Sequence, residues 1–190
     1  MSYASSKKLL VAALSVACLL VLAPGAWAQS SSTSGGATFV PPPPPPAKGA
    51  LVNGRLVAPA SAPRRVKQVI TAANRIVEKP YVYGGGHTTY RSGRLDRGYD
   101  CSGAVSYALH GGRFLRSPLP SGMLMNWGHR GPGQWITVYA HGGHAYVVVA
   151  GYRFDTSMHD GDAPGPSTGP RWSRTLRTSS AFVARHPRGY

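Results

Sequence analysis

Cys101 stands between Asp100 and Ser102-Gly103, directly ahead of the apolar positions Ala104, Val105, Ala108 and Leu109. That spacing predicts a helix that begins at the cysteine and takes Asp100 as its N-cap. The unpaired N–H groups and the positive dipole end of such a helix would stabilise a thiolate. They also supply backbone donors, those of Cys101 and Ser102 among them, for a developing oxyanion. A cysteine kept only for packing would lie within the apolar stripe rather than at the capped tip. A thiolate nucleophile needs a base, and the chain has seven histidines. His144 is the candidate because it opens an apolar run, residues 145–149, where an imidazole is costly without a partner. His141, three residues earlier in a Gly-rich turn, is the competing ring. A third group should orient the imidazole. If Ala150-Gly151 makes a two-residue hairpin turn, Val149 faces Tyr152 and His144 faces Ser157. Asp155 then lies diagonally from His144 on the same face, where its carboxylate could accept the ring N–H. A zinc site from Cys101, His141 and His144 lacks the ligand number and clustering such sites show, so neither a metal nor another cofactor is expected.

These residues need elements to hold them. Val66, Val69, Ile70, Ala73, Ile76 and Val77 recur at helical spacing, with Ser61 as N-cap, Pro63 in the first turn and Pro80 as the stop. Residues 81–86 read as a short extended piece entering a glycine turn. The cysteine helix closes at Gly111-Gly112. Residues 113–133 are rich in Pro and Gly and irregular, with a helical turn around 123–127. Strands are predicted over 135–139, 144–149, 152–156 and 181–184, with tight turns at Gly142-Gly143 and Ala150-Gly151. Helices followed by an antiparallel meander make an α+β domain, with His144 on the strand face toward the cysteine helix.

The composition agrees with one domain plus tails. Among 190 residues, 24 Gly and 17 Pro exclude a coiled coil and argue against a long-helix bundle. A hydrophobic content of 42% with 4 Trp and 10 Tyr excludes a wholly disordered basic chain. Residues 1–28 read as a secretory signal: Lys7 and Lys8, an apolar stretch from Leu9 to Leu22, a break at Pro24-Gly25, and Ala26-Trp27-Ala28 before Gln29. The apolar stretch is too short to span a bilayer, and Cys18 lacks the setting of an acylated cysteine. We therefore expect export to the periplasm or the extracellular wall, with no membrane span left after cleavage. Cys18 leaves with the signal, and Cys101 becomes the sole thiol, with no disulfide partner. Residues 29–60, a Ser/Thr/Gly run and six consecutive prolines, read as a linker, which places the folded domain at 61–190.

The segments Pro80-Tyr81-Val82-Tyr83-Gly84-Gly85, Tyr99-Asp100-Cys101-Ser102-Gly103 and Gly143-His144-Ala145-Tyr146-Val147 resemble the NlpC-type family of bacterial cell-wall cysteine peptidases, over about residues 63–160. The resemblance implies a papain-like core in which a Cys-bearing helix packs on an antiparallel sheet bearing the histidine. It implies cleavage of peptidoglycan stem peptides, often between D-glutamate and a diamino acid. By position, Cys101 would be the nucleophile, His144 the base and Tyr81 the tyrosine beside the nucleophile, with Ser102 at the oxyanion and substrate side. Asp155 falls where the family more often has His, Asn or Gln. Gly131-Pro132-Gly133-Gln134 stands where a Pro-Gly-Asp element is usual, and residues 182–187 extend past the usual histidine hairpin. Two readings of different class follow: a peptidoglycan-cleaving cysteine hydrolase, with an amidase cutting the sugar–peptide junction as its variant, or a silent, basic wall-binding module on the same fold. The formal charge of +15 suits anionic cell-envelope polymers, and no nucleic-acid-binding module is present. A monomer is expected.

Overall fold

The computed structural model describes residues 47–88, 90, 93–157, 169–177 and 180–190; the expected signal and residues 29–46 of the expected linker lie outside them. In chain order the elements are β1 (Ala50–Val52), β2 (Arg55–Val57), α1 (Arg64–Ile76), α2 (Cys101–Gly111), α3 (Ser121–Leu124), β3 (His129–Arg130), β4 (Ile136–His141), β5 (His144–Val149), β6 (Tyr152–Asp155), β7 (Arg171–Ser173) and β8 (Val183–His186). The class is α+β, with α2 packed against the sheet at β5 and β6.

The sheet is antiparallel, in the order β3-β8-β4-β5-β6-β7. Ala150 and Gly151 both take left-handed backbone, the form a two-residue hairpin turn requires, and Val149 pairs with Tyr152 as expected. The predicted meander is broken after β6. Strand β7 occupies the free edge of β6, so β8 can pair only at the other side, on β4. Strands β3 and β7 have two and three residues, too few to display a period.

Period-two alternation gives the sheet two distinct faces. Val138, Ala140, Ala145, Val147, Val149 and Phe154 join the core with α1 and α2. Trp172 packs on Phe154 at 4.8 Å and donates its indole N–H to Asn74 of α1. On the opposite face, Tyr146 stacks on Tyr139 and meets Phe182 at 5.0 Å. His144 shares the face of Tyr146 rather than the helix-packed face predicted for it.

Helix α1 buries Val66, Val69, Ile70, Ala73 and Ile76. Its N-cap is Pro63, without a side-chain cap, and not Ser61. Helix α2 is buried on several sides, and it lies close to α1 because Gly111 has no side chain. A Cβ there would stand 2.3 Å from the Ala72 Cβ.

The linker expected over 29–60 ends earlier. Val-Asn-Gly-Arg at 52–55 folds as a hairpin, with Asn53 and Gly54 both at positive φ. Leu56 of β2 is buried in the core, and Asn74 closes two hydrogen bonds on its backbone N–H and C=O. The Gly49 N–H donates to the Ala150 carbonyl at 3.0 Å. The folded part therefore includes residues from about 49, not from 61.

Candidate active site

Asp100 caps α2 as its sequence position predicts. Its Oδ1 accepts from the Gly103 N–H at 2.7 Å, and its Oδ2 from the Gly84 N–H at 3.1 Å. The same carboxylate accepts from His87 Nε2 at 3.0 Å and from the Ser102 hydroxyl at 3.2 Å. The glycine turn lies directly on the helix start. A Cβ on Gly103 would stand 2.1 Å from the Gly85 carbonyl oxygen, which explains the Cys-Ser-Gly order. The turn is pinned from outside as well, since Asp96 accepts from the Gly86 N–H at 2.9 Å. Residues 80–82 run beside residue 99 through a Tyr81–Tyr99 bridge, which brings Tyr81 toward Cys101.

Cys101 is thus the first helical residue, half-buried and unbridged. The N–H groups of Cys101 and Ser102 lie in the first turn, where no helix carbonyl can accept from them. Ser102 is buried and its hydroxyl is bound to Asp100.

His144 meets Cys101 from the end of β5. His144 Nε2 lies 2.8 Å from Asp155 Oδ1, and Cys101 is near enough for its charge to bear on the ring. A carboxylate only accepts, so Nε2 carries the proton and Nδ1 is the nitrogen left for the sulfur. Burial by itself pushes the ring's pKa down. The hydrogen bond to Asp155 and the negative charges of Asp155 and Cys101 overcome that and hold it up at about 9. Asp155 is buried and also accepts from the Ser157 N–H at 3.0 Å. The diagonal contact expected from the hairpin register is therefore present. Tyr81 also feels Cys101: burial first, then the charges of Cys101 and Asp100, raise its phenol.

Four residues at the site were not anticipated. Asp155 Oδ2 faces Arg177 Nη1 at 3.4 Å and the fully buried Arg153 Nε at 3.5 Å. Arg177 also leans on the rings of Tyr146 and Phe182, and its carbonyl accepts from the Tyr146 hydroxyl. Phe182 packs on His141 at 4.5 Å and His144 at 6.2 Å, so the C-terminal segment forms one wall of the site. His87 is the fourth, on the Asp100 side. The alternation of β6 could have flagged Arg153 as an inward charge; nothing local marks Arg177. His141 accepts from the Gly143 N–H in its own turn and makes no contact with Asp155.

No family model and no curated protein matches the sequence. Among solved structures, the chain is similar to the P60 domain of an antigen from M. avium subspecies paratuberculosis. The identity is 22% over 64% of this chain and 94% of that one, with a TM-score of 0.46. It is similar to a mutated form of the resuscitation promoting factor interacting protein RipA, at 22% identity over 74% and 69% of the two chains and a TM-score of 0.45. It is likewise similar to a hypothetical invasion protein of Mycobacterium tuberculosis, at 22% identity over 74% and 69%, TM-score 0.45. These are likenesses of fold.

Proposed function

We propose that the chain is an exported peptidoglycan hydrolase that cleaves stem-peptide amide bonds by a Cys101–His144 thiol mechanism, with the D-glutamyl–diamino acid bond as its target. The observation that carries this reading is His144, hydrogen-bonded to buried Asp155 and set near a cysteine at a capped helix start. The ring's pKa of about 9 makes imidazolium its form at neutral pH, beside the sulfur. The thiolate attacks the amide carbon, and the oxyanion forms within reach of the Cys101 and Ser102 N–H groups. Collapse of the tetrahedral intermediate breaks the C–N bond as His144 gives its proton to the departing amine. A thioester remains on Cys101. Water then attacks the thioester while the now neutral His144 takes its proton; the acid product leaves and the thiolate–imidazolium pair returns. Tyr81, its phenol kept protonated by the raised pKa, can donate a hydrogen bond to substrate beside the sulfur.

Asp155 holds the ring rather than exchanging protons with it. Arg153 and Arg177 act as positioning residues, balancing its buried charge and leaving Oδ1 aimed at His144. Export rests on the sequence of residues 1–28; among the described residues no helix is long and apolar enough to cross a membrane. Purified wall suspensions test the function directly. They should clear with the wild type and stay turbid with Cys101→Ala. Equal clearing by both, or none by either folded protein, would overturn it.

A further inference from the structure

The positive charge is not evenly opposed. Glu78, Asp96, Asp100 and Asp155 are the acidic residues among those described. Each is engaged: Glu78 with Arg55, Asp96 with the Gly86 N–H, Asp100 with the start of α2, and Asp155 with His144. At the other end of α2 from Cys101, two cavities open side by side. One, of about 350 Å³, is lined by Arg75, Tyr107, His110 and Arg113 among others. The second, of about 250 Å³, has Arg113 again, with His129 and Arg188. No acidic residue lines either cavity among the described residues.

Arg113, common to both, has an unusual backbone. It sits at φ 60 just past the helix, with its N–H donating to the His110 carbonyl and the Phe114 N–H to the Leu109 carbonyl. That is the helix-ending position where glycine is favoured and a side chain is strained. Gly111 and Gly112 immediately precede it, yet the left-handed site itself holds an exposed arginine. A non-glycine kept in such a conformation points to a role for its side chain.

The negative end of α2 would ordinarily repel an anion here. Arg65 removes that obstacle by donating to the Gly112 and Arg113 carbonyls at 2.8 and 2.7 Å. Two of the nearby rings are already covered. His110 stacks on Tyr90 at 4.0 Å, and the Arg65 guanidinium lies 3.9 Å over Phe114. The half-buried rings of Tyr107 and Trp127 are what remains for stacking, whereas three guanidinium groups, those of Arg75, Arg113 and Arg188, line the cavities and suit carboxylate or phosphate groups.

We propose that this face binds an acidic glycan, a sugar polymer bearing carboxylate or phosphate groups, with Arg113 bridging the two cavities. The 11 residues of α2 separate it from Cys101 by about 16 Å, so a held polymer leaves the thiol face open. The inference rests on the proposed function only in choosing a wall polymer over other polyanions. Its test is binding, which the wall-clearing assay does not measure.

The experiment titrates the full mature chain, carrying Cys101→Ala, with polygalacturonate, a poly(glycerol phosphate) and a 20-nucleotide oligo-dT at fixed low salt. Adding Arg113→Gly should weaken binding of at least one glycan polymer about ten-fold. The melting temperature should hold or rise, because glycine relieves the strained φ. Which polymer responds assigns carboxylate or phosphate as the ligand group. Arg174→Ala, which removes one exposed charge elsewhere, should weaken binding far less. An equal loss from Arg113→Gly and Arg174→Ala would reduce the effect to net charge and overturn the site. Tighter binding of oligo-dT than of either glycan, lost through Arg113→Gly, would overturn the ligand class.

Discussion

Asp155→Asn separates hydrogen bonding from charge at the centre of the site. The amide oxygen can still accept from His144, but its NH₂ group must then face Arg177 and Arg153, donor against donor. Arg153 is fully buried, and removing the partner of a buried charge costs about 3–5 kcal/mol. Arg177, partly exposed, adds little to that. The effect on His144 has a definite sign. Burial lowers its pKa, while Asp155 and Cys101 raise it to about 9 against an ordinary 6.5. A pKa raised on folding contributes stability that is complete below about 6.5 and is lost as pH climbs through about 9. Loss of the Asp155 charge moves the ring down and narrows that window. The wild-type rate should fall above pH 9 as His144 loses the proton it gives to the leaving amine, and in Asp155→Asn this limb should move to lower pH. The assay is kcat/KM on a soluble muropeptide from pH 5 to 10, paired with urea unfolding. A folded variant whose alkaline limb stays near 9 would refute the assignment of Asp155 as the group that holds His144 protonated.

His144→Ala should be nearly as damaging to turnover as Cys101→Ala, because the pair acts as one unit, while His141→Ala should be mild; the reverse order would require a different base. Asp155→Ala should lower activity further than Asp155→Asn, since nothing then accepts the ring N–H, and equal rates would argue that ring orientation is irrelevant. Arg177→Ala should lower kcat about ten-fold with KM little changed and Arg177→Lys should restore part of it, whereas a rise in KM alone would place Arg177 on the substrate. A chain starting at residue 61 should melt well below one starting at 48, because burial of Leu56 alone is worth about 2–3 kcal/mol; equal melting temperatures would show that the hairpin contributes nothing.

The site was legible where chemistry and local pattern coincide. Asp100 before Cys101 and an apolar stripe was enough to place the thiol, and the Ala150-Gly151 turn was enough to set Asp155 against His144. What escaped depends on distant pairing. Strand β7 is three residues long, and only its placement on β6 sends β8 to β4 and brings Phe182 and Arg177 over the histidine. The orientation of His144 was misjudged for a related reason: α2 packs on β5, so the ring can lie near the thiol without facing the helix-packed core. The β1–β2 hairpin was missed although Asn53-Gly54 is a strong turn signal, because the prolines just before it made the whole stretch read as linker.

The central claim is most directly tested by mass spectrometry of muropeptides released from purified peptidoglycan, wild type beside Cys101→Ala. The account predicts fragments with a new D-glutamyl carboxyl end and a new diamino acid amine end, produced by the wild type and absent with Cys101→Ala. Stem peptides left intact by a wild-type protein that binds the wall, or the same fragments from both proteins, would contradict it.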